Sequence, residues 1–293
     1  MSIKDYLHKN AWAILNKSYQ WWPDSIWLKI IYQSRFHRKL NLKNPKSFNE
    51  KLNWLKLYDR KPLYTKLVDK YEVKQYVKER IGDQYVVPCY GVWDSFDKID
   101  FSKLPDQFVL KCTHDSGGMS ICKDKSLFDP KEARKKLEQT MDNNFFWWTR
   151  EWAYKNVHPR ILADKFLDDH TGDTLRDYKF WCFNGVPRFM YCTIKAKDIY
   201  ENFYDMDFNI VDINHGFRRA KPEFEKPECF ELMKSFATKL SKGIPFIRVD
   251  FFLVDGNVYF GEFTFYDWAG LRPFADYQQD LELGDMLLLP KRS

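Results

Sequence analysis

The sequence predicts an α+β protein, in which helices and β-hairpins occupy different stretches of one chain. Two observations carry this prediction: helical periodicity dominates the first 80 residues, and three later stretches each pair two runs of β-branched and aromatic residues across a short turn. No internal repeat and no low-complexity linker interrupts the 293 residues. Further helical patterns lie at 130–141 and 223–242, and the paired strand patterns lie at 108–122, 177–189 and 246–265.

Composition bounds the cellular setting. No apolar run approaches the roughly 20 residues that span a bilayer, and the start MSIKDYLHKN lacks the apolar segment of a signal peptide. The six cysteines include no Cys-x-x-Cys pair, which argues against a zinc ribbon or a redox motif and fits a reducing compartment. We therefore expect a cytoplasmic protein.

Positive charge is concentrated at the N-terminus. Residues 1–62 hold 13 Lys or Arg and four acidic residues, a net charge of +9, whereas the whole chain carries +6. Residues 6–40 read as helical and add four Trp. Such a segment either packs on the body with a solvated basic face or contacts an anionic membrane surface or acidic polysaccharide. No reading motif for nucleic acid accompanies the charge.

Helices are predicted after this segment. Ser47 followed three residues later by Glu50 is a capping box, which opens a helix ending near Tyr58. A second helix is expected over residues 63–80, because Gly82 follows it, and a short strand over 86–90.

The stretch 108–122 predicts a strand, a small-residue loop and a second strand. Such a loop can close its backbone N–H groups on phosphates, with Lys111 neutralising them, or it can be an ordinary hairpin turn. It is not a Walker loop, because no Gly-Lys-Ser/Thr follows. The aromatic cluster at 145–152 lines either a pocket or, as we favour, a core.

The stretch 177–189 predicts a hairpin with an Asn184-Gly185 turn. Alternation puts Asp177, Lys179 and Trp181 on one face. A charged pair on such a strand marks either a functional face or a strand end exposed to water.

The stretch 246–265 predicts a hairpin that carries two carboxylates. With a three-residue loop, Asp250 lies opposite Glu262 and Arg248 opposite Thr264. Opposed carboxylates repel unless a cation lies between them, and that cation is either a divalent metal or Arg248 itself. A two-residue loop would put Glu262 opposite Val249 instead and would end the metal interpretation. The predicted core face comprises Ile247, Val249, Phe251, Leu253, Tyr259, Gly261, Phe263 and Phe265.

Four segments in order, Asp69-Lys70, FVLKCTHDSGG, DYKFWCFNG and RVDFFLVDGNVYFGEFTF, make the chain resemble the ATP-grasp superfamily. More narrowly, it resembles the TupA-like (teichuronopeptide-biosynthesis) branch over roughly residues 44–290. The resemblance implies two α+β lobes with ATP between them. We accordingly expect a basic helical extension at 1–60, a first lobe with the phosphate flap at 61–165, and a second lobe with the metal-binding hairpin at 166–293.

The resemblance also implies roles for individual residues. Asp250 and Glu262 match magnesium ligands, and Thr264 stands where many members have a third, asparagine ligand. Lys179 matches a basic residue facing the phosphates. Beside the metal pair, we expect Arg248 to stabilise charge on the transferring phosphoryl group, so Arg248 and Lys179 are the candidate catalytic residues. The expected ATP-binding residues are Lys70, Lys111, His114, Ser116, Gly117, Gly118, Lys165, Phe166, Leu167 and Lys179, with 165–167 as the adenine hinge.

The leading hypothesis is an ATP- and Mg²⁺-dependent carboxylate–amine ligase that attaches an amino acid or amine to a uronic acid during surface-polysaccharide biosynthesis. Phosphoryl transfer needs little from a protein beyond positioned cations and a closing loop, and this sequence contains both. One alternative is a metal-dependent glycosyltransferase that uses the Asp205-Met206-Asp207 triplet. Another is a non-catalytic adaptor that binds anionic glycan or membrane through its N-terminus.

Overall fold

The computed structural model describes residues 19–115, 117–170, 175–195 and 199–292, which form two antiparallel sheets with helices around them. The expected helix before residue 19 and the flap residue Ser116 therefore lie outside the described residues. The described helices are α1 (Asp24–Phe36), α2 (Phe48–Tyr58), α3 (Pro62–Val68), α4 (Glu72–Ile81), α5 (Pro130–Met141), α6 (Phe146–Thr149), α7 (Phe230–Ser241) and α8 (Tyr277–Met286). The described strands are β1 (Cys89–Trp93), β2 (Phe108–Cys112), β3 (Met119–Cys122), β4 (Ile161–Lys165), β5 (Asp177–Phe183), β6 (Val186–Lys195), β7 (Ile199–Tyr204), β8 (Ile210–Val211), β9 (Phe246–Val254) and β10 (Asn257–Thr264).

The first sheet has the strand order β1-β4-β2-β3 and packs one face against α5. Ala133 and Leu137 of α5 are buried with Phe108 and Leu110 of β2. The helix begins where its sequence dictates, because the Asp129 carboxylate caps the backbone N–H groups of the first turn and Pro130 follows.

The second sheet has the order β10-β9-β5-β6-β7-β8, with α7 on one face. On that face the ring of Phe180 lies 5.7 Å from that of Phe230. On the opposite face, the fully buried Trp181 packs 5.2 Å from Phe48 of α2. Helix α2 thus covers the Trp181 end of that face and leaves the Asp177 end for the site described below.

The N-terminal helices pack on the body. Trp27 of α1 is fully buried, and its indole N–H donates to the Trp148 carbonyl at 2.7 Å, while Trp21 remains 87% exposed. The predicted capping box is present, since Ser47 and Glu50 each accept a backbone N–H of the other. Within the described ranges, no helix combines the length and apolarity that a membrane span requires.

The single helix expected over 63–80 is wrong, because the chain breaks it at Asp69-Lys70. The Asp69 carboxylate accepts the backbone N–H groups of Tyr71 and Glu72 at 2.8 and 3.1 Å and so restarts the chain as α4. The Lys70 N–H donates instead to the Thr113 carbonyl at 3.1 Å. The break therefore ties this segment to the loop between β2 and β3.

The three-residue loop expected in the last hairpin is also wrong. Asp255 (φ 50°) and Gly256 (φ 75°) form a two-residue turn, because both residue types tolerate positive φ, and Val258 faces Leu253. Up to Phe260 the faces of β10 are therefore the reverse of those predicted. Val258 and Phe260 are buried in the core, whereas Tyr259 is half-buried on the other face.

A β-bulge then restores the expected register. The pairing shifts by one residue between Phe260 and Phe263, so Thr264 lies opposite Arg248 as predicted. Gly261 suits this position, since a Cβ there would lie 3.1 Å from the Asp250 carbonyl oxygen. Because of the bulge, Glu262 returns to the side of the hairpin that carries Asp250.

Candidate active site

A cleft between the two sheets gathers charged side chains from both. Its inner part is a cavity of about 270 Å³. The first sheet contributes Lys111 from β2, and the break between α3 and α4 contributes Lys70. Three strands of the second sheet contribute both basic and acidic side chains. The charged residues from the second sheet are Lys179 of β5, Arg248 and Asp250 of β9, and Glu262 of β10.

Strand pairing explains why the charges of the second sheet converge. In the β5–β9 register Lys179 lies opposite Asp250 and Trp181 opposite Arg248, which puts all four on one face. The Lys179 ammonium donates to the Asp177 carboxylate at 2.9 Å and to the Thr193 hydroxyl at 3.3 Å. The predicted face of β5 is thus the wall of the cleft.

Arg248 bridges the two carboxylates of the hairpin. Its Nε and Nη2 donate to the two oxygens of Asp250, each at 2.7 Å, and Nη2 also donates to Glu262 Oε1 at 3.0 Å. Its Nη1 donates to Asp267 Oδ1 at 2.7 Å. Asp250 is buried while the Glu262 side chain is 37% exposed, so Glu262 faces the open cleft. Thr264 Oγ1 lies 3.5 Å from Glu262 Oε1.

Burial sets the electrostatics of this group. It raises the pKa of Asp250 to about 7, against the opposing effect of Arg248. The pKa of Arg248 lies well above its usual value because Asp250, Tyr191 and Asp267 outweigh the effect of its burial. The guanidinium is therefore a permanent cation at the base of the cleft, and a second cation near Asp250 would favour its ionised form.

The donor set fits magnesium. Asp250 and Glu262 both bond to Arg248 Nη2, and their oxygens retain lone pairs for a metal. Among described residues no group of three or more His, Cys, Asp or Glu could hold an ion by itself. Magnesium typically takes one or two carboxylates and completes its shell with water and substrate phosphates, which is what this pair allows.

Lys111 forms an ion pair with the buried carboxylate of Asp164, which also forms one with Lys74. Asp164 Oδ2 lies 3.2 Å from the Lys111 ammonium, and Asp164 Oδ1 lies 2.9 Å from that of Lys74. Sequence reasoning missed Lys74 as a lining residue. Lys70 precedes α4, which carries Lys74, so helical spacing does not relate the two residues and no sequence signal pointed to Lys74.

The loop between β2 and β3 closes over the cations. The Asp115 carboxylate accepts the Gly118 N–H at 2.9 Å, and the Lys70 ammonium donates to the Asp115 carbonyl. Gly117 and Gly118 line the cleft. Gly118 has no room for a side chain, because a Cβ there would lie 2.5 Å from Thr140 Cγ2.

His114, expected in the phosphate flap, does not line the described cleft. Its side chain is buried, and Nε2 lies 3.2 Å from the Thr140 carbonyl oxygen and 3.1 Å from that of Asn143. The ring therefore anchors the start of the loop to the end of α5.

An apolar cavity of about 220 Å³ continues the cleft outward. The two cavities share Val87, Lys111, Met119, Asp177 and Phe252 as lining residues. The predicted hinge residues lie at the end of β4 and directly after it, and all of them line the apolar part: Lys165, Phe166 and Leu167. The cleft is thus apolar at one end and strongly charged at the other.

The Asp205-Met206-Asp207 triplet lies in the turn between β7 and β8. The Asp205 carboxylate accepts the backbone N–H groups of Asp207 and Asn209 at 2.9 and 2.8 Å. It therefore stabilises the turn, and neither carboxylate lines the described cleft.

The sequence model described as "TupA-like ATPgrasp" matches residues 50–288. Among curated proteins no significant match was found.

Solved structures give weaker similarities. The D-alanine–D-alanine ligase of Helicobacter pylori has 17% identity, with 78% of this chain and 59% of that chain covered and a TM-score of 0.40. The Bacillus anthracis enzyme, complexed with ATP, has 14% identity, 75% and 63% coverage and a TM-score of 0.42. The ATP-grasp ligase PsnB, complexed with a minimal precursor, has 10% identity, 70% and 54% coverage and a TM-score of 0.38. The chain spans less than two thirds of each of these three proteins.

Proposed function

The chain belongs to the TupA-like ATP-grasp family, and on this premise we propose that it is an ATP- and Mg²⁺-dependent carboxylate–amine ligase. The observation that carries the proposal is the two-part cleft, with an apolar pocket that leads into a cluster of cations and a pair of carboxylates. An adenine ring requires the first part and a triphosphate the second. The chain division at 1–60, 61–165 and 166–293 remains part of this proposal.

ATP would lie along the cleft from the hinge to Arg248. The adenine would occupy the apolar cavity beside Phe166 and Leu167, and its phosphates would extend past Lys111 and Lys179. Lys70 holds the flap through the Asp115 carbonyl, so binding of phosphate by Lys70 would couple to closure of the loop. A closed loop excludes water, which strengthens every charge interaction inside.

Asp250 and Glu262 would hold the magnesium ion, with Thr264 beside Glu262 as a weaker hydroxyl ligand. The ion supplies charge neutralisation on the phosphate oxygens when it is bound. Arg248 lies at the same end of the cleft, and its five N–H groups are donated to Asp250, Glu262, Asp267 and Tyr191. It would therefore stabilise negative charge on the transferring phosphoryl group through its positive charge rather than through a direct hydrogen bond.

The proposed reaction has two steps. A carboxylate oxygen of the first substrate attacks the γ-phosphorus and releases ADP, which leaves an acyl phosphate. The amine of the second substrate attacks the acyl carbon, expels phosphate and loses a proton, so that one ATP yields one amide, ADP and phosphate. The acyl phosphate carries concentrated negative charge, which a permanent guanidinium such as that of Arg248 suits.

The substrates proposed are a uronic acid of a surface polysaccharide or its precursor and an amino acid or other amine. The setting proposed is the cytoplasm, with peripheral contact at the inner face of the membrane. The exposed Trp21 precedes α1, whose exposed face carries Lys29 and Arg35, and this supports such a contact because Trp favours the membrane interface and basic residues attract anionic lipid.

The test traces an ¹⁸O label from the carboxylate of the substrate to the phosphate that is released. The full-length protein is incubated with Mg-ATP, amino acids and a uronic acid labelled with ¹⁸O in its carboxylate. We expect ADP release that needs both substrates, an amide product, and one ¹⁸O transferred to phosphate. Turnover of a UDP-sugar without ATP, abolished by Asp205→Asn, would instead support a glycosyltransferase.

A further inference from the structure

A second cleft lies on the other side of the Arg248 network. It is a cavity of about 530 Å³ between α1, the end of α6 and the loop that follows β10, and it shares no described lining residue with the ATP cleft. Its walls combine aromatic rings with two arginines. The lining residues that matter here are Arg35, Trp148, His215, Trp268 and Arg272.

Both arginines have unused charge. Within the described ranges neither Arg35 nor Arg272 forms an ion pair with a carboxylate, unlike the buried Arg150, which pairs with Asp24. Arg272 donates a hydrogen bond from its Nε to the His215 carbonyl at 2.7 Å. Its guanidinium lies 4.7 Å from the centroid of the Trp268 ring. The buried carboxylates of Glu201 and Asp267 act on the charge of Arg272 without forming an ion pair with it, and the two guanidinium groups suit an anionic group such as a carboxylate or a phosphate.

The loop that carries Trp268 is held in a costly conformation. Trp268 (φ 47°) and Ala269 (φ 56°) adopt left-handed backbone conformations that residues other than glycine rarely adopt. The Lys56 ammonium donates to the Ala269 carbonyl at 2.6 Å, and the Asn53 amide to the Gly270 carbonyl at 2.7 Å. Two buried side chains thus hold the loop in place and keep the Trp268 indole 40% exposed at the cleft.

The same loop connects the second cleft with the phosphate end of the first. It starts at Asp267, which accepts from Arg248 Nη1 at 2.7 Å and lies 3.6 Å from His215 Nε2. Glu262 and Trp268 are six positions apart in the sequence, so the two sites are at most about 20 Å apart along the backbone. An acceptor of several sugar units is long enough to span such a distance.

We propose that this cleft binds an acidic sugar of the acceptor next to the sugar whose carboxylate reacts. The inference rests on the proposed function, which it extends to the length and charge of the acceptor. The C–H face of the sugar ring lies on Trp268, which removes apolar surface from water, and its anionic group is held by Arg35 and Arg272. That group is the carboxylate of a neighbouring uronate or a phosphate of a nucleotide-linked sugar.

Calorimetric titrations of the full-length protein test this. The probes are trigalacturonic acid, the neutral trisaccharide maltotriose, and UDP-glucuronic acid, each in the presence of Mg-ADP. The variants are Arg272→Gln and the exposed Arg35→Gln, with Lys29→Gln as the matched control, because Lys29 is an exposed basic residue of α1 that does not line the cleft. Each variant is also titrated with Mg-ATP.

We expect trigalacturonate to bind and maltotriose not to. A hydrogen-bonded ion pair contributes about 1.5–3 kcal/mol, so each arginine variant should lose about 10- to 100-fold in affinity, and Lys29→Gln less than about threefold. Binding of UDP-glucuronic acid alone, with the same sensitivity to Arg35→Gln and Arg272→Gln, also supports the site and identifies the phosphate source.

Three results overturn the inference. These are equal binding of maltotriose, anionic-sugar binding that all three variants weaken equally, and no anionic-sugar binding. If Mg-ATP still binds in any of these cases, the proposed ligase function stands without this subsite. If Mg-ATP does not bind but trigalacturonate binding depends on both arginines, the ligase function fails while the sugar site remains.

Discussion

Arg248→Met should destabilise the protein far more than loss of an ordinary surface ion pair. Arg248 donates to Asp250 through two nitrogens at 2.7 Å and to Asp267 at 2.7 Å, and both carboxylates are 2% exposed. Methionine fills a similar volume but removes the guanidinium that donates hydrogen bonds to both carboxylates. Removing one partner of a buried pair costs about 3–5 kcal/mol, partly relieved when the stranded carboxylates take up protons.

The measurement is the free energy of unfolding from urea denaturation at pH 7.5, followed by both fluorescence and circular dichroism. The matched control is Arg219→Met, because Arg219 pairs with Asp212 at 2.6 Å while the two side chains are 44% and 84% exposed. That change should cost at most about 1 kcal/mol. Adding Asp267→Asn to Arg248→Met should recover part of the loss, since it removes one stranded charge. Equal costs for the two arginine variants, or no recovery, would refute the reasoning.

Three further predictions concern the flap, the discarded metal motif and a buried carboxyl. Gly118→Ala should weaken ATP binding and cost about 1–3 kcal/mol of stability, because its Cβ would lie 2.5 Å from Thr140 Cγ2; an unchanged Kd for ATP would contradict the tight packing of the flap. Asp205→Ala should cost about 1 kcal/mol through the lost turn bonds but leave ADP release within about twofold, whereas loss of activity would favour the glycosyltransferase alternative. Burial raises the pKa of Asp280 to about 6, above its unfolded value near 4, so the folded state binds the extra proton and loses stability as pH rises from about 4 to 6. Asp280→Asn should therefore raise the free energy of unfolding at pH 7 by up to about 3 kcal/mol and flatten its pH dependence in that window, and an unchanged slope would contradict this.

The sequence predicted which face of β5 lines the site, but it did not predict the pairing register of the last hairpin. Alternation correctly puts Lys179 and Trp181 on one face, because a buried sheet permits only one register. In the last hairpin the same rule fails at Tyr259, since Asp255-Gly256 favours the tighter turn and the chain compensates with a bulge at Gly261. A glycine inside a strand pattern is a bulge signal, and it could have corrected the register.

The sequence pattern could not predict contacts between segments that lie far apart along the chain. Asp267 holds Arg248 from 19 residues away, and Asp164 holds Lys111 across 53 residues. No periodicity relates such pairs, because each depends on how two strands or loops meet in space. Similarly, His114 stands in a glycine-rich loop, yet its ring is buried against α5.

The central claim is that the cleft binds ATP through a magnesium ion on Asp250 and Glu262. Calorimetric titration of ATP into wild type and Glu262→Gln, once with excess Mg²⁺ and once with EDTA, tests it most directly. We expect micromolar binding of Mg-ATP to wild type, weakened at least about tenfold by the substitution, and a much smaller effect of the same substitution in EDTA. Mg-ATP binding that Glu262→Gln leaves unchanged, or weakens equally with and without metal, would contradict it.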